Sequence, residues 1–289
     1  PSVTTTVTGA PTAAVQRVLT AVVFLPPFLW MVSRGPGWVF VLFVMAVSGL
    51  ALWELLRLFQ GAGWPVYTRT AIALGVVVTG SFALPAPAVV PSAFLCLAAA
   101  VLLSAPLWSG TPPQAEPAAL TLVSLVYVSW FLGHVLALHR RPEGDFLVLF
   151  LVTVTWLGET AAYVVGSTVG RHRLAPAVSP RKTIEGAVAQ LVASVAGAGL
   201  FAAWLLPAWS LAGALVAGSI LGVVGQVGDL VESVMKRSVG VKDAGGLIPG
   251  HGGVLDRIDG LLFNTPALYY YVTLGGATLG GAPALAASS

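Results

Sequence analysis

Charge is scarce in this chain. Of 289 residues only 9% are Asp, Glu, Lys or Arg, and lysine occurs three times. A soluble domain carries about 25% charged residues, so a water-exposed globular surface cannot be built from this composition. Cysteine occurs once, at Cys96, which excludes an intrachain disulfide and leaves the redox compartment open. Apolar–polar alternation, which a membrane β-barrel requires, is missing as well. A net charge of +3 makes no case for a nucleic-acid partner, and the arginines read better as topology signals.

What the chain does have is long apolar runs. It is 57% hydrophobic, with a mean hydropathy of +0.90. The runs are about as long as the roughly 20 residues that an α-helix needs to cross a bilayer. The expected fold is an all-α polytopic membrane bundle of about nine helices, near 16–33, 38–57, 69–85, 89–108, 117–138, 146–165, 186–206, 209–228 and 261–281. Residues 1–15 read as an N-terminal tail, 16–145 as an N-terminal bundle and 146–289 as the region that carries chemistry. Arg17 before an apolar run imitates a signal peptide, but without a small-residue cleavage site the run is read as a span. The Gly/Ala content of 186–225 suggests close helix packing through small residues.

The few charges are not spread evenly. Five of eleven acidic residues (Asp229, Glu232, Asp243, Asp256, Asp259) fall between 229 and 259, with Lys236, Arg237, Lys242, His251 and Arg257. Charge beside lipid is expensive and by default marks function. With nine spans and 229–260 inside, the cytoplasmic face receives eleven basic residues and the other face three, Arg34, Arg140 and Arg141. That is a positive-inside bias, against which the Arg140-Arg141 pair stands. Glu54, inside the second span, admits a functional or an interfacial reading, and His134 reads as a packing residue.

Spacing gives the chemistry its shape. Asp229, Glu232, Ser233 and Lys236 recur at i, i+3, i+4 and i+7, one face of a helix. Gly245-Gly246, Pro249-Gly250 and Gly252-Gly253 interrupt the helix and let backbone approach a ligand. Asp256 and Asp259, at i and i+3, open the last span. Such oxygen donors suit Mg²⁺ or another divalent cation held together with substrate phosphates, with Asp256 the foremost ligand, then Asp229 and Asp259. Lys236, Arg237, Lys242 and Arg257 supply countercharge for phosphates, and His251 is a base or a phosphate donor. Zinc is disfavoured by a single His and no Cys here. A second polar patch, 166–185, holds Arg171, His172, Arg173 and then Ser179, Arg181, Lys182, Thr183 and Glu185. Ser179 or Thr183 can cap the following span, and Glu185 suits its first turn. The cations read as lipid-phosphate recognition.

These residues carry a family resemblance. Ser233 through Lys236-Arg237, Lys242-Asp243, and Pro249-Gly250-His251-Gly252-Gly253 through Asp256-Arg257 to Asp259 resemble the C-terminal signature of the phosphatidate cytidylyltransferases, or CDP-diacylglycerol synthases. Ser179–Gly186 is similar to that family's Ser-Pro-Lys-Lys-Thr-x-Glu-Gly segment, with Arg181 in place of a lysine. Glu159 stands where the family's Asp-x-x-Ala-Tyr motif has Asp, and Ser167 where an arginine follows Gly166. The resemblance implies CTP and phosphatidate as substrates, CDP-diacylglycerol and pyrophosphate as products, and an inner-membrane enzyme working at the cytoplasmic face. Catalytic roles then fall to Lys236, Arg237, Lys242, His251 and Arg257. Substrate contacts fall to Ser179, Arg181, Lys182, Thr183, Glu185, Ser233, Gly252 and Gly253. A CTP-dependent polyprenol kinase is the nearest alternative. A transporter is the alternative from another class, although polar groups gathered at one face speak against it. Oligomeric state stays open, a homodimer included.

One expectation is testable at this level. In a Cys96→Ala background, Ser179→Cys and Ser238→Cys should both resist an impermeant thiol reagent in right-side-out cells and react after permeabilisation. Labelling of either in intact cells contradicts a shared cytoplasmic face.

Overall fold

The computed structural model describes residues 25–87, 89–108, 114–242, 244–245 and 252–276. After helical residues 25–33 come α1 (Gly37–Gly61), α2 (Thr68–Ser81) and α3 (Val89–Trp108). Next are α4 (Glu116–His139), which contains a π-helical turn at Val126–Trp130, and α5 (Gly144–Thr168). Two short strands, β1 (Arg173–Ala175) and β2 (Ser179–Thr183), pair antiparallel before α6 (Ile184–Leu205), α7 (Leu211–Ser238) and α8 (Leu255–Thr273). The hairpin is the main departure from an all-α reading among the described residues. Its sequence is polar and contains Pro180, so it lacks the apolar alternation that would announce a strand.

Among the described residues six helices are long and apolar enough to cross a bilayer: α1, α3, α4, α5, α6 and α7. The remaining three of the nine expected spans are not established. Half of the 16–33 run, residues 16–24, lies outside the described residues. The 69–85 run forms α2, which ends at Ser81 after 14 residues. That is about 21 Å of helix at 1.5 Å per residue, short of the ~30 Å hydrocarbon core. The 261–281 run falls on α8, whose opening turns hold Asp256, Arg257 and Asp259. The architecture is a multi-pass helical bundle.

Small residues bring α5, α6 and α7 together. A Cβ on Gly218 of α7 would lie 2.7 Å from the Ser194 carbonyl oxygen and 2.8 Å from Val195 Cα in α6. One on Gly222 would lie 3.2 Å from Leu191 Cα. The backbones therefore touch, as helices do in lipid, where burying apolar surface gives no advantage over a lipid tail. Polar side chains fasten the N-terminal half. Ser48 of α1 donates to Ser129 Oγ at 3.0 Å and Thr79 of α2 to the Ser129 carbonyl at 3.1 Å, all three buried. His134 is buried, its Nδ1 2.8 Å from the Trp130 carbonyl oxygen, among the rings of Phe82, Trp130, Tyr269 and Tyr270. It is a packing residue.

The Arg140-Arg141 pair also has structural employment. Arg140 donates to the carbonyls of Phe82 and Leu84 just beyond α2, and Arg141 donates to Thr273 Oγ1 at 2.9 Å. A basic pair that holds two helix ends has a reason for its position that is independent of topology.

Close packing at Gly218 predicts a cost for any added volume. Gly218→Val should destabilise the detergent-solubilised protein by roughly 1–3 kcal/mol, the usual range for overpacking. Gly37→Ala, where nothing lies within 4 Å of the new Cβ, should leave thermal unfolding unchanged. Equal melting temperatures for both variants would contradict backbone contact between α6 and α7.

Candidate active site

Two helices meet at the polar end of the bundle. Helix α7 begins at Ser210, whose Oγ accepts the Gly213 N–H at 3.0 Å. It runs unbroken to Ser238, and Gly240, just beyond its C-cap, has φ +76°. There the Gly240 and Val241 N–H groups bond back to the Arg237 and Lys236 carbonyls, each at 3.0 Å, which closes the helix in a glycine turn. The last turns carry Asp229, Glu232, Ser233 and Lys236 on one face. Lys236 and Arg237 sit in the final turn, where the helix dipole favours cations.

Helix α8 starts with Val254 at its N-cap, and valine has no oxygen to offer. Asp256 in the first turn does part of the capping. Its Oδ2 accepts the Gly253 N–H at 2.8 Å, and both oxygens accept the Ala244 N–H at 3.1 Å. Gly252 has φ +83°, and a Cβ there would lie 2.7 Å from Asp256 Oδ2. Lys236 Nζ then donates to Asp256 Oδ1 at 2.8 Å and to Glu232 Oε2 at 2.6 Å. One ammonium group thus joins the end of α7 to the start of α8. Burial disfavours the Asp256 charge, but Lys236 and the Gly253 and Ala244 N–H groups outweigh it and hold the carboxyl below the usual range.

Beneath this bridge lies a group of three carboxyls. Asp229, Glu232 and Asp259 each bring an oxygen within 4.8 Å of the others. At that spacing, ionised carboxylates repel by on the order of 3 kcal/mol per pair at an effective dielectric of 20. Lys182 of β2 offsets part of this with an ion pair to Asp229 at 2.6 Å. Glu232 is 1% exposed, and its Oε1 is buried with no hydrogen-bond partner among the described residues. Glu159 of α5 approaches from a third helix, since a Cβ on Gly260 would overlap its Oε1. An all-oxygen donor set, with Glu232 buried, Asp229 and Asp259 half-buried and one acceptor left without a partner among the described residues, fits a hard cation.

The hairpin brings the upstream patch to the same end. Lys182 reaches Asp229, and Arg237 Nε donates to the Val178 carbonyl at 3.2 Å. Arg237 also donates to the Val241 carbonyl at 2.9 Å, so its guanidinium ties the helix end to the hairpin. Thr183 is the N-cap of α6, accepting the Gly186 N–H at 3.2 Å. Glu185 reaches back to the Arg171 and His172 N–H groups and to His172 Nδ1, the last at 2.6 Å. Thr183 and Glu185 thus have local structural partners. Ser179 opens β2 half-buried, Ser233 is half-buried on α7, and Arg181, Lys242 and Arg257 are exposed. Gly252 and Gly253 line the turn before α8. His251, together with Asp243 and Pro249-Gly250, lies outside the described residues.

The geometry therefore places Glu232, rather than Asp256, with Asp229 and Asp259 in the three-carboxyl group, while Asp256 engages Lys236 and backbone. The i+3 step from Asp229 is the sequence signal that could have singled out Glu232. A second carboxylate at this end comes from far away in sequence. Glu54 of α1 is 2% exposed, and its Oε2 accepts the Leu255 N–H at 2.8 Å. No local spacing announces that contact.

Comparison with known proteins places the chain in a family. The family model described as "Cytidylyltransferase family" matches residues 15–274. A phosphatidate cytidylyltransferase of Staphylococcus aureus (strain COL) is 35% identical over 257 residues, covering 87% of this chain and 96% of that relative. One of Staphylococcus saprophyticus is 35% identical over 263 residues with the same coverage. The uncharacterized protein YnbB of Escherichia coli (strain K12) is 34% identical over 255 residues, covering 84% of this chain and 82% of its own length. With the match running from the first apolar run to the end of α8 and taking in every residue of the carboxyl group and its lysine bridge, the chain belongs to the cytidylyltransferase family.

Proposed function

We propose that this protein is a phosphatidate cytidylyltransferase, making CDP-diacylglycerol and pyrophosphate from CTP and phosphatidate at the cytoplasmic face of the inner membrane. The observation that carries the reading is the Asp229–Glu232–Asp259 group, set between a lysine bridge and a cationic hairpin at one end of a membrane bundle. Relatives named as phosphatidate cytidylyltransferases support the choice of substrates.

The reaction asks little covalent chemistry of the protein. An ionised phosphate oxygen of phosphatidate attacks the α-phosphorus of CTP, forming a new P–O bond. The bond from the α-phosphorus to the oxygen bridging to the β-phosphorus breaks, and pyrophosphate departs with that electron pair. A phosphate nucleophile already carries its negative charge, so it needs no general base. Positioning and charge compensation are what remain for the side chains.

Asp229, Glu232 and Asp259 are the residues that would hold Mg²⁺ or another divalent cation. Bound there, the cation supplies Lewis-acid stabilisation of phosphate oxygens. Lys236 holds Glu232 and Asp256 in register, and Asp256 shapes the turn in which Gly252 and Gly253 allow close backbone approach. Arg181, Lys182, Lys242 and Arg257 provide cations for the substrate phosphates. Ser179 and Ser233 provide hydroxyl groups at the same end, and His251, of the two roles that the sequence offers it, takes that of a hydrogen-bond donor to a substrate phosphate.

Two measurements test this reading. With α-labelled CTP and phosphatidate, purified protein should yield labelled lipid, and γ-label should appear only in pyrophosphate. Transfer of γ-label into an organic-extractable product would replace the reading by that of a lipid kinase. Glu232→Gln and Asp259→Asn should fold normally, lose at least 100-fold in kcat, and abolish the upward shift in melting temperature that Mg²⁺ gives the wild type. Asp256→Asn should also lose turnover but keep the Mg²⁺-dependent shift. If Asp256→Asn alone loses the shift, the cation belongs to Asp256.

A further inference from the structure

Glu54 belongs to α1, far in sequence from every residue of the site, and it is 2% exposed in the apolar core. A buried carboxylate in a membrane bundle is costly and requires a partner. Its partner is the opening of α8. Oε2 accepts the Leu255 N–H at 2.8 Å across 201 residues of sequence. The N-cap residue Val254 offers no side-chain acceptor, so Glu54 satisfies one of the orphan donors that a helix leaves at its N-terminus. A carboxylate there also lies at the favourable end of the helix dipole.

The surrounding glycines fit around this carboxylate. A Cβ on Gly253 would lie 2.6 Å from Oε2 and 2.7 Å from Oε1, and one on Gly245 would lie 2.8 Å from Oε1. Gly253 is the residue whose N–H bonds Asp256 Oδ2, and Ala244, next to Gly245, supplies the other N–H on Asp256. Glu54, buried, and Asp256, half-buried, thus both engage the backbone at 244–245 and 253–255. Asp256 holds it from within α8, and Glu54 holds it from the N-terminal half.

We propose that Glu54 is a positioning residue for the active site. By capping α8 and filling the space beside Gly245 and Gly253, it fixes where Asp256, Lys236 and Asp259 stand relative to one another. Glu54 touches no substrate in this role; it acts through Leu255 and the glycine turn. The proposal rests on the reading of this end as the active site, but the exchange measurement below does not depend on which substrates are used.

The test compares Glu54→Gln, Glu54→Asp and Glu54→Ala in the full-length protein in detergent. Glutamine keeps an oxygen for the Leu255 N–H but loses the negative charge, so kcat should fall only a few-fold. Aspartate is one methylene short and alanine lacks the acceptor, so both should fall further, about 100-fold for alanine, the scale of a 1 Å misplacement. Hydrogen exchange should rise at peptides spanning residues 252–258 in Glu54→Ala and stay at the wild-type rate in α5 and α6. If alanine does not fold, the order glutamine above aspartate, together with faster exchange at 252–258 in the aspartate variant, supports the proposal equally. Wild-type exchange at 252–258 in a folded Glu54→Ala or Glu54→Asp variant overturns the proposal, as does a rise spread evenly over the bundle. Loss of cytidylyl transfer by the wild type would instead strike the functional reading and leave the exchange result standing.

Discussion

The double bond of Lys236, to Glu232 on its own helix and to Asp256 on the next, is the contact on which this end of the molecule depends. It is a partly buried ionic triad, one ammonium against two carboxylates. Such groups repay their desolvation only when geometry and additional hydrogen bonds are good. Here the additional bonds are present. The Gly253 and Ala244 N–H groups take the remaining lone pairs of Asp256, and helix α7 holds Glu232 and Lys236 at i and i+4. Removing the lysine would leave two carboxyls facing each other beside a third and a fourth. Everything else polar in the region is arranged around a charge balance that one side chain sets.

That balance is held by a rigid frame. Glycines at 218 and 222 let α6 and α7 meet backbone to backbone, and Asn264 of α8 donates to Thr155 of α5 at 2.9 Å. Carboxyls brought together against their mutual repulsion will drift apart unless the helices carrying them cannot. The frame thus holds the three-carboxyl group at its spacing, while Lys182 offsets part of the repulsion. It also explains why the polar end is small. Only where several helices and the hairpin converge is the backbone fixed well enough to keep such a cluster intact.

Much of this is legible from residues alone. Composition excludes a soluble fold, apolar runs mark the six helices among the described residues that are long and apolar enough to cross a bilayer, and spacing puts Asp229, Glu232, Ser233 and Lys236 on one helical face. The segments 166–185 and 229–260 stand out because charge is rare elsewhere, and they do come together through Lys182 and Arg237. What spacing cannot show is which carboxylate pairs with which cation. Asp256 reads as a cation ligand because it stands i, i+3 from Asp259. In the folded chain its oxygens are taken by Lys236 and by backbone N–H groups. The role of Glu54 is hidden for a similar reason: its partner is a backbone amide 201 residues away. A periodicity argument sees faces of elements, not contacts between distant ones. The β-hairpin escapes it because two strands of three and five residues, largely polar, carry no apolar pattern.

The bond between Glu54 and Leu255 has a consequence for how the protein is made. Helix α1 leaves the ribosome early, already carrying a carboxylate, and its partner amide does not exist for another 201 residues. At 5–20 residues per second that is an interval of roughly 10–40 s. Throughout it Glu54 must keep water or find a temporary donor, because an unsatisfied acceptor in hydrocarbon costs several kcal/mol. The early helices can pack on one another through Ser48, Thr79 and Ser129 in the meantime, but this contact at the polar end forms only once α8 has been made.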